Sequence, residues 1–138
     1  MRFILLCALI AGCTNTQVAT ATRTLCAEPD AMALTWDNFG HQFMTDFCTA
    51  CHDSTLLHSQ RNGAPLFHDC ETLMGVLEIA DHIDSWAGAG PAADNTLMPP
   101  SECPTTPGGP LNRSCPQPTQ KQREDLSKWL ACERTRTH

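Results

Sequence analysis

Apolar residues return at helical spacing in three stretches of the chain. In TWDNFGHQFMTDF (35–47), Trp36, Phe39, Phe43, Met44 and Phe47 fall at i, i+3, i+7, i+8 and i+11, one stripe of a 3.6-residue helix. Thr35 precedes the stripe as a candidate N-cap. In DCETLMGVLEIADHIDSWAGAG (69–90), Leu73, Met74, Val76, Leu77, Ala80, Ile83 and Trp86 predict a second helix. It should end near Gly88 to Pro91. In PTQKQREDLSKWLACER (118–134), Thr119 and Gln122 have capping-box spacing, and Leu126, Trp129 and Leu130 form the apolar face.

The polar stretches between these helices read as loops. SQRNGAPLF (59–67) is rich in turn residues. From residue 88 to 118 the chain carries Pro91, Pro99, Pro100, Pro104, Pro107, Pro110, Pro116 and Pro118, which argue against long helices and paired strands. No repeat and little alternating pattern is visible. The expectation is an all-α domain with long ordered loops, which need something to organise around.

The N-terminus changes the picture of the compartment. MRFILLCALIAGC gives one positive charge at Arg2, an apolar run from Phe3 to Ala11 and then Gly12-Cys13, the layout of an export signal too short to span a bilayer. Ile10-Ala11-Gly12-Cys13 resembles the lipobox of bacterial lipoproteins, which implies cleavage before Cys13 and acylation on it; several acyl chains at one cysteine would anchor firmly. The expected organisation is a lipoprotein signal peptide at 1–12, a Thr-rich flexible tether at 13–25 and one domain at 26–138. Export to the periplasmic face of a bacterial membrane means an oxidising environment, where cysteines form disulfides or attach cofactors.

Without the signal the chain has eight Lys plus Arg against fifteen Asp plus Glu, a net charge of −7. Acidic residues dominate from Glu28 to Glu102, and Lys121, Arg123, Lys128, Arg134 and Arg136 lie near the C-terminus. No basic stripe with interleaved aromatics appears, which speaks against nucleic acid as a partner. An acidic protein can be steered to a basic redox partner, although solubility alone accounts for the charge.

Nine cysteines in 138 residues is a high count. Cys7 and Cys13 belong to the export region, leaving FCTACHDS (47–54) with Cys48 and Cys51, and five others: Cys26, Cys70, Cys103, Cys115 and Cys132. Five cannot all pair within one chain. Three chemistries use C-x-x-C. A zinc site needs four ligands, usually two spaced pairs, and no second C-x-x-C is present. A thioredoxin-like dithiol sits in a βαβ setting, whereas here an amphipathic helix leads into the motif. C-x-x-C-H is the attachment signature of c-type haem: Cys48 and Cys51 would bond the vinyl groups and His52 would ligate the iron. A sixth position then needs a ligand, often Met. Met98, 46 residues after His52 in NTLMPP, lies in a loop stiffened by Pro99 and Pro100. Met32, Met44 and Met74 sit on or beside apolar stripes and are expected in the core.

From Trp36 to Cys132 the chain resembles the small, single-domain monohaem cytochromes c. The resemblance rests on the helix running into CTACH, the Gly-Ala-Pro turn at 63–65, MPP at 98–100 and LSKWLAC at 126–132. It implies a cytochrome c fold, three or more helices and long loops wrapped around one covalently bound haem with His52 and Met98 as axial ligands. It also implies that the first and last helices cross, with Phe39 and Phe43 against Leu126, Trp129 and Leu130. Pro65 matches the family proline whose carbonyl accepts a hydrogen bond from the axial histidine. A Cys103–Cys115 bridge would hold the Met98 segment, and helices that meet would bring Cys26 to Cys132, leaving Cys70 over.

Arg61 and Trp86 are candidate donors to the haem propionates, against solvation for Arg61 and packing for Trp86. His41, His58, His68, His82 and His138 are expected at the surface, the middle three being substitute iron ligands should Met98 not serve. Asn95 and Thr96 are candidates for orienting the Met98 loop. The function expected is one-electron transfer in the periplasm with no catalysis, since neither a second C-x-x-C-H nor a Ser-His-Asp elbow is present. Two rivals stand beside it: a haem-based sensor or gas-binding protein with a vacant or weakly held sixth site, and a disulfide-rich structural domain without haem.

Overall fold

The computed structural model describes residues 18–27 and 29–137. The signal, Cys7, Cys13 and His138 lie outside them. Five α-helices are formed: α1 (Asp30–Ala33), α2 (His41–Phe47), α3 (Leu73–Glu78), α4 (Ala80–Ala87) and α5 (Gln120–Glu133). A π-helical turn, Trp36–Gly40, leads into α2, and a 3-10 turn covers His58–Gln60.

The first predicted helix starts where its cap says. Thr35 Oγ1 accepts from the Asn38 amide at 3.2 Å, and Asn38 Oδ1 accepts from the Thr35 amide at 2.8 Å, a reciprocal cap. The wide first turn presents Gly40 to the Trp129 ring. A Cβ there would lie 2.4 Å from Trp129 Cζ2, so only glycine lets the two helices approach this closely. Phe39 meets the Trp129 ring edge-on at 6.1 Å, and Phe43 joins Leu126, Trp129 and Leu130 in the core. The first and last helices therefore pack, with α5 capped by Thr119 and Gln122.

The second predicted helix is two. The chain leaves helical geometry at Ile79 (φ −116°, ψ 17°) and restarts as α4. Each half has its own close approach. At Gly75 an added Cβ would come within 2.4 Å of the Asp69 carbonyl, and at Gly88 within 2.2 Å of Ser127 Oγ on α5. The break lets α3 lie on the motif loop while α4 lies on α5. Periodicity alone cannot register such a redirection, because Val76, Ala80, Ile83 and Ala87 are core residues on either side of it.

The all-α expectation is corrected here. Glu102–Pro104 (β1) and Leu111–Ser114 (β2) pair antiparallel, with Glu102 opposite Ser114 and Cys103 opposite Arg113. The architecture is mixed α/β, five helices and a two-stranded sheet. Pro104 is tolerated because it ends its strand at a register shift and contributes only its carbonyl, which accepts from Arg113 Nε at 3.0 Å. The Cys103–Cys115 disulfide closes the hairpin. Two cysteines flanking TTPGGP was the available signal for it.

A second disulfide, Cys26–Cys132, ties the N-terminal segment to α5. From residue 18 the stretch expected as tether lies against α4. Thr22 is fully buried, donates through Oγ1 to Asp84 Oδ1 at 2.7 Å and through its amide to Asp84 Oδ2 at 2.8 Å. A Thr-rich composition reads as flexible only until its hydroxyls find a half-buried carboxylate such as Asp84.

Candidate functional site

Helix α2 delivers the motif. Its last turn runs into Cys48, whose amide donates to the Met44 carbonyl, and the Cys51 and His52 amides both return to the Cys48 carbonyl at 3.2 and 3.0 Å. This tight turn places two thiols and an imidazole together on one short arc. Cys48 and Cys51 are unbridged and half-buried, and Cys48 packs on the core beside α2. Burial pushes the Cys51 thiol up, partly offset by the Arg61 guanidinium.

His52 is held in one tautomer. Its Nδ1 lies 3.1 Å from the His68 carbonyl oxygen, and a carbonyl only accepts, so Nδ1 carries the hydrogen and Nε2 keeps its lone pair. Burial is the main cause holding its pKa below 6.5, with the nearby His68 and Arg61 acting the same way and the His68 carbonyl and Asp69 opposing. A neutral, oriented imidazole is what a metal ligand must be. The acceptor expected from the resemblance, Pro65, is corrected: the His68 carbonyl takes this place, and the Pro65 carbonyl accepts from Arg61 Nη2 at 2.8 Å.

Arg61 organises the loop around that imidazole. It is 2% exposed. Nη1 donates to the Asp53 carbonyl at 2.9 Å and pairs with Asp69 Oδ1 at 2.7 Å, and Nη2 donates to the carbonyls of Pro65 and His68. One guanidinium thereby fixes both ends of the motif loop and the carbonyl that orients His52. Solvation, the bland reading of an arginine in a turn-rich loop, does not hold. Its Nε is buried without a partner, an unmet donor beside the motif.

The remaining cysteine belongs to the same site. Cys70 is buried, its amide donates to the His52 carbonyl at 2.8 Å, and its thiol hydrogen-bonds Cys48. That bond, then burial, then the Cys48, Glu71 and Asp69 charges hold its pKa well above the ordinary thiol value. Sequence spacing did not link Cys70 to the motif, since the loop between them folds back through Arg61. His68 stacks beside His52 with ring centroids 6.4 Å apart and meets exposed His82 edge-on at 5.0 Å. His41 lies against Trp36 and His58 is exposed on the 3-10 turn.

Met98 is half-buried and packs against the same core as Cys48. Its amide donates to the Trp86 carbonyl at 2.9 Å, so Trp86, 42% exposed, sits beside it. Asn95 anchors the approach to Met98: its Nδ2 donates to the Thr20 carbonyl at 2.7 Å and the Asp84 carbonyl at 3.1 Å. Of the other methionines, Met44 is fully buried, while Met74 is 60% exposed and is no core residue.

The donor set suits a covalently attached haem. Two free thiols, one neutral imidazole with a free Nε2 and one thioether are present, with an orphaned guanidinium nitrogen close by. Leu66 and Phe67, directly before His68, and Trp86, beside Met98, are exposed apolar side chains. Among the described residues no three His, Cys, Asp or Glu side chains converge as a metal-holding group, which a closed zinc site needs. Two clefts lie elsewhere, one of about 130 Å³ along α2 at Phe39, Phe43 and Phe47, and one of about 750 Å³ between residues 23–27 and α5. No helix among the described residues is long and apolar enough to cross a membrane. The chain matches no protein-family model, no curated protein and no solved structure, so the functional argument rests on the site's own chemistry.

Proposed function

We propose that this chain is an exported electron carrier that holds one c-type haem by thioether bonds at Cys48 and Cys51, with His52 and Met98 as axial ligands. When bound, the haem supplies a one-electron ferric/ferrous iron couple. The observation that carries the reading is the His52 tautomer: Nδ1 bound to the His68 carbonyl, Nε2 free, on a C-x-x-C whose thiols are both unbridged.

Each residue has a defined part. Cys48 and Cys51 anchor the group, which fixes it against the end of α2. His52 donates its Nε2 lone pair, and the His68 carbonyl keeps the ring from turning. Arg61 holds that carbonyl in place. Met98 brings a soft thioether that favours the reduced state. Exposed Leu66, Phe67 and Trp86 would shield the macrocycle from water. The acidic surface would favour a redox partner with a basic docking face, and acylation of Cys13 would keep the protein at the periplasmic side of a membrane.

A pyridine haemochrome assay on protein matured in a periplasm equipped for haem attachment tests this reading. The expected spectrum is that of two-thioether haem, lost on Cys48→Ser together with Cys51→Ser. Absence of any haem signal in the wild type sinks the proposal. Carbon monoxide then separates the rival: slow or negligible binding to the ferrous protein fits Met98 ligation, and rapid binding fits a gas-binding site.

A further inference from the structure

Among the described residues Arg123, in the first turn of α5, is the one buried cation that the proposed site does not use. It is 3% exposed. Its Nη1 donates to three carbonyl oxygens: Ala87 at 2.9 Å, Asn95 at 3.0 Å and Met98 at 2.8 Å. Nη2 reaches Gln117 Oε1 at 3.3 Å, and Gln117 Nε2 donates in turn to the carbonyls of Pro100 at 2.9 Å and Pro99 at 3.3 Å. The backbone joins in, since the Ala89 amide donates to the Arg123 carbonyl at 3.1 Å. One guanidinium thus spans the end of α4, the start of the Met98 loop and Met98 itself.

The guanidinium reaches the three carbonyls through Nη1 and Gln117 through Nη2, two separated positions that the single nitrogen of a lysine ammonium cannot occupy at once. Residues 89–98 contain an isolated bridge between Ala89 and Asp94 and no helix or strand. Asn95 ties this loop to Thr20 and α4 and the Met98 amide ties it to Trp86, while Arg123 is the side chain that links the Asn95 and Met98 carbonyls to α5. A loop that presents an iron ligand must hold it within a fraction of an ångström.

We infer that Arg123 is the positioning residue for the Met98 thioether, clamping the loop to α5 so that the sulfur stays on the iron instead of yielding the sixth position to an incoming ligand. The inference rests on the proposed Met98 ligation. Arg123 touches neither the haem nor the sulfur in this scheme; it acts through the Asn95 and Met98 carbonyls.

The test uses full-length, haem-loaded protein with Arg123→Gln and Arg123→Lys, and with Met98→Ala and Met74→Ala as references. Three readouts are taken: haem content, the weak far-red band of a ferric iron–thioether bond, and the rate of carbon monoxide binding to the ferrous form. Arg123→Gln is expected to keep its haem yet lose most of the far-red band and bind carbon monoxide at least tenfold faster. Arg123→Lys should fall between it and the wild type, and Met74→Ala should behave as wild type. In haem-free chains, hydrogen exchange at the Asn95 and Met98 amides should rise at least tenfold in Arg123→Gln while α2 amides stay unchanged. Haem-loaded Arg123→Gln with an unaltered band and rate overturns the inference. A wild type with haem but no far-red band overturns the Met98 reading itself, and the inference with it. Should Arg123→Gln fail to mature, Arg123→Lys and Gln117→Ala carry the same readouts, and wild-type behaviour in both overturns it.

Discussion

The two ring nitrogens of His52 face different chemistry, and much follows from that asymmetry. Nδ1 is occupied by the His68 carbonyl, and burial disfavours a second proton. Its pKa is lower in the folded than in the unfolded chain, so the unfolded state binds more protons as pH falls. Folding stability of the haem-free chain should therefore be intact above about pH 6.5 and decline below it. Urea midpoints measured between about pH 8 and pH 5 should show this decline, and His52→Gln should flatten it. Thiol counting gives a second expectation at this scale. If the proposed thioether bonds to Cys48 and Cys51 form, only Cys70 should react with a thiol reagent in the unfolded, haem-loaded domain without the export region, since Cys26, Cys132, Cys103 and Cys115 are bridged. In the folded, haem-free protein Cys70 should react more slowly than Cys48 and Cys51, since it is buried and they are half-buried. The motif was legible in the sequence because C-x-x-C-H is contiguous. Arg61 was singled out as a propionate donor but not as the clamp of its loop, and Cys70 and the His68 carbonyl were not legible, since they join the site through a loop whose path depends on that buried guanidinium. Pro65 was chosen by resemblance, and three residues' difference in that loop moved the acceptor.

At the scale of elements, the contact between the first helical segment and α5 is set by one missing side chain. Gly40→Ala should cost about 1–3 kcal/mol through overpacking against Trp129, and Trp129→Ala about 3–5 kcal/mol through the cavity it leaves. Denaturant titration of each variant, haem-free, checks both. If Gly40→Ala is neutral, the close approach of these helices is wrong. Caps and apolar stripes located these helices well: Thr35 and Thr119 stand where local pattern put them. The hairpin β1–β2 escaped the pattern because proline count argued against strands while a disulfide, which acts across the chain, made strands of three and four residues sufficient. Likewise the Ile79 break has no local marker, neither glycine nor proline. Both departures come from tertiary contacts that outweigh local propensity.

Over the whole molecule, long-range links compensate for a small core. The Cys26–Cys132 bridge spans 106 residues and should contribute about 4–5 kcal/mol, against about 3 kcal/mol for Cys103–Cys115 across 12. Replacing Cys26 and Cys132 together by Ser should therefore lower the thermal midpoint more than replacing Cys103 and Cys115, as calorimetry of the two double variants beside the wild type would show; the reverse order would mean that hairpin closure dominates. Arg136 reinforces the longer bridge by donating to the Met32 and Leu34 carbonyls from beyond α5. These links converge on a frame in which α2 presents Cys48 and α5 holds the Met98 loop, so the two sides of the proposed haem site are supplied by elements that are themselves cross-tied.

The most direct measurement is the intact mass of the purified mature protein, followed by peptide mapping after acid–acetone extraction. The haem mass should survive extraction and sit on the single peptide that contains Cys48, Cys51 and His52, while Cys70 stays unmodified. A protein of unmodified mass, or with a Cys48–Cys51 or Cys48–Cys70 bridge in place of haem after maturation in a haem-attaching periplasm, would contradict the account.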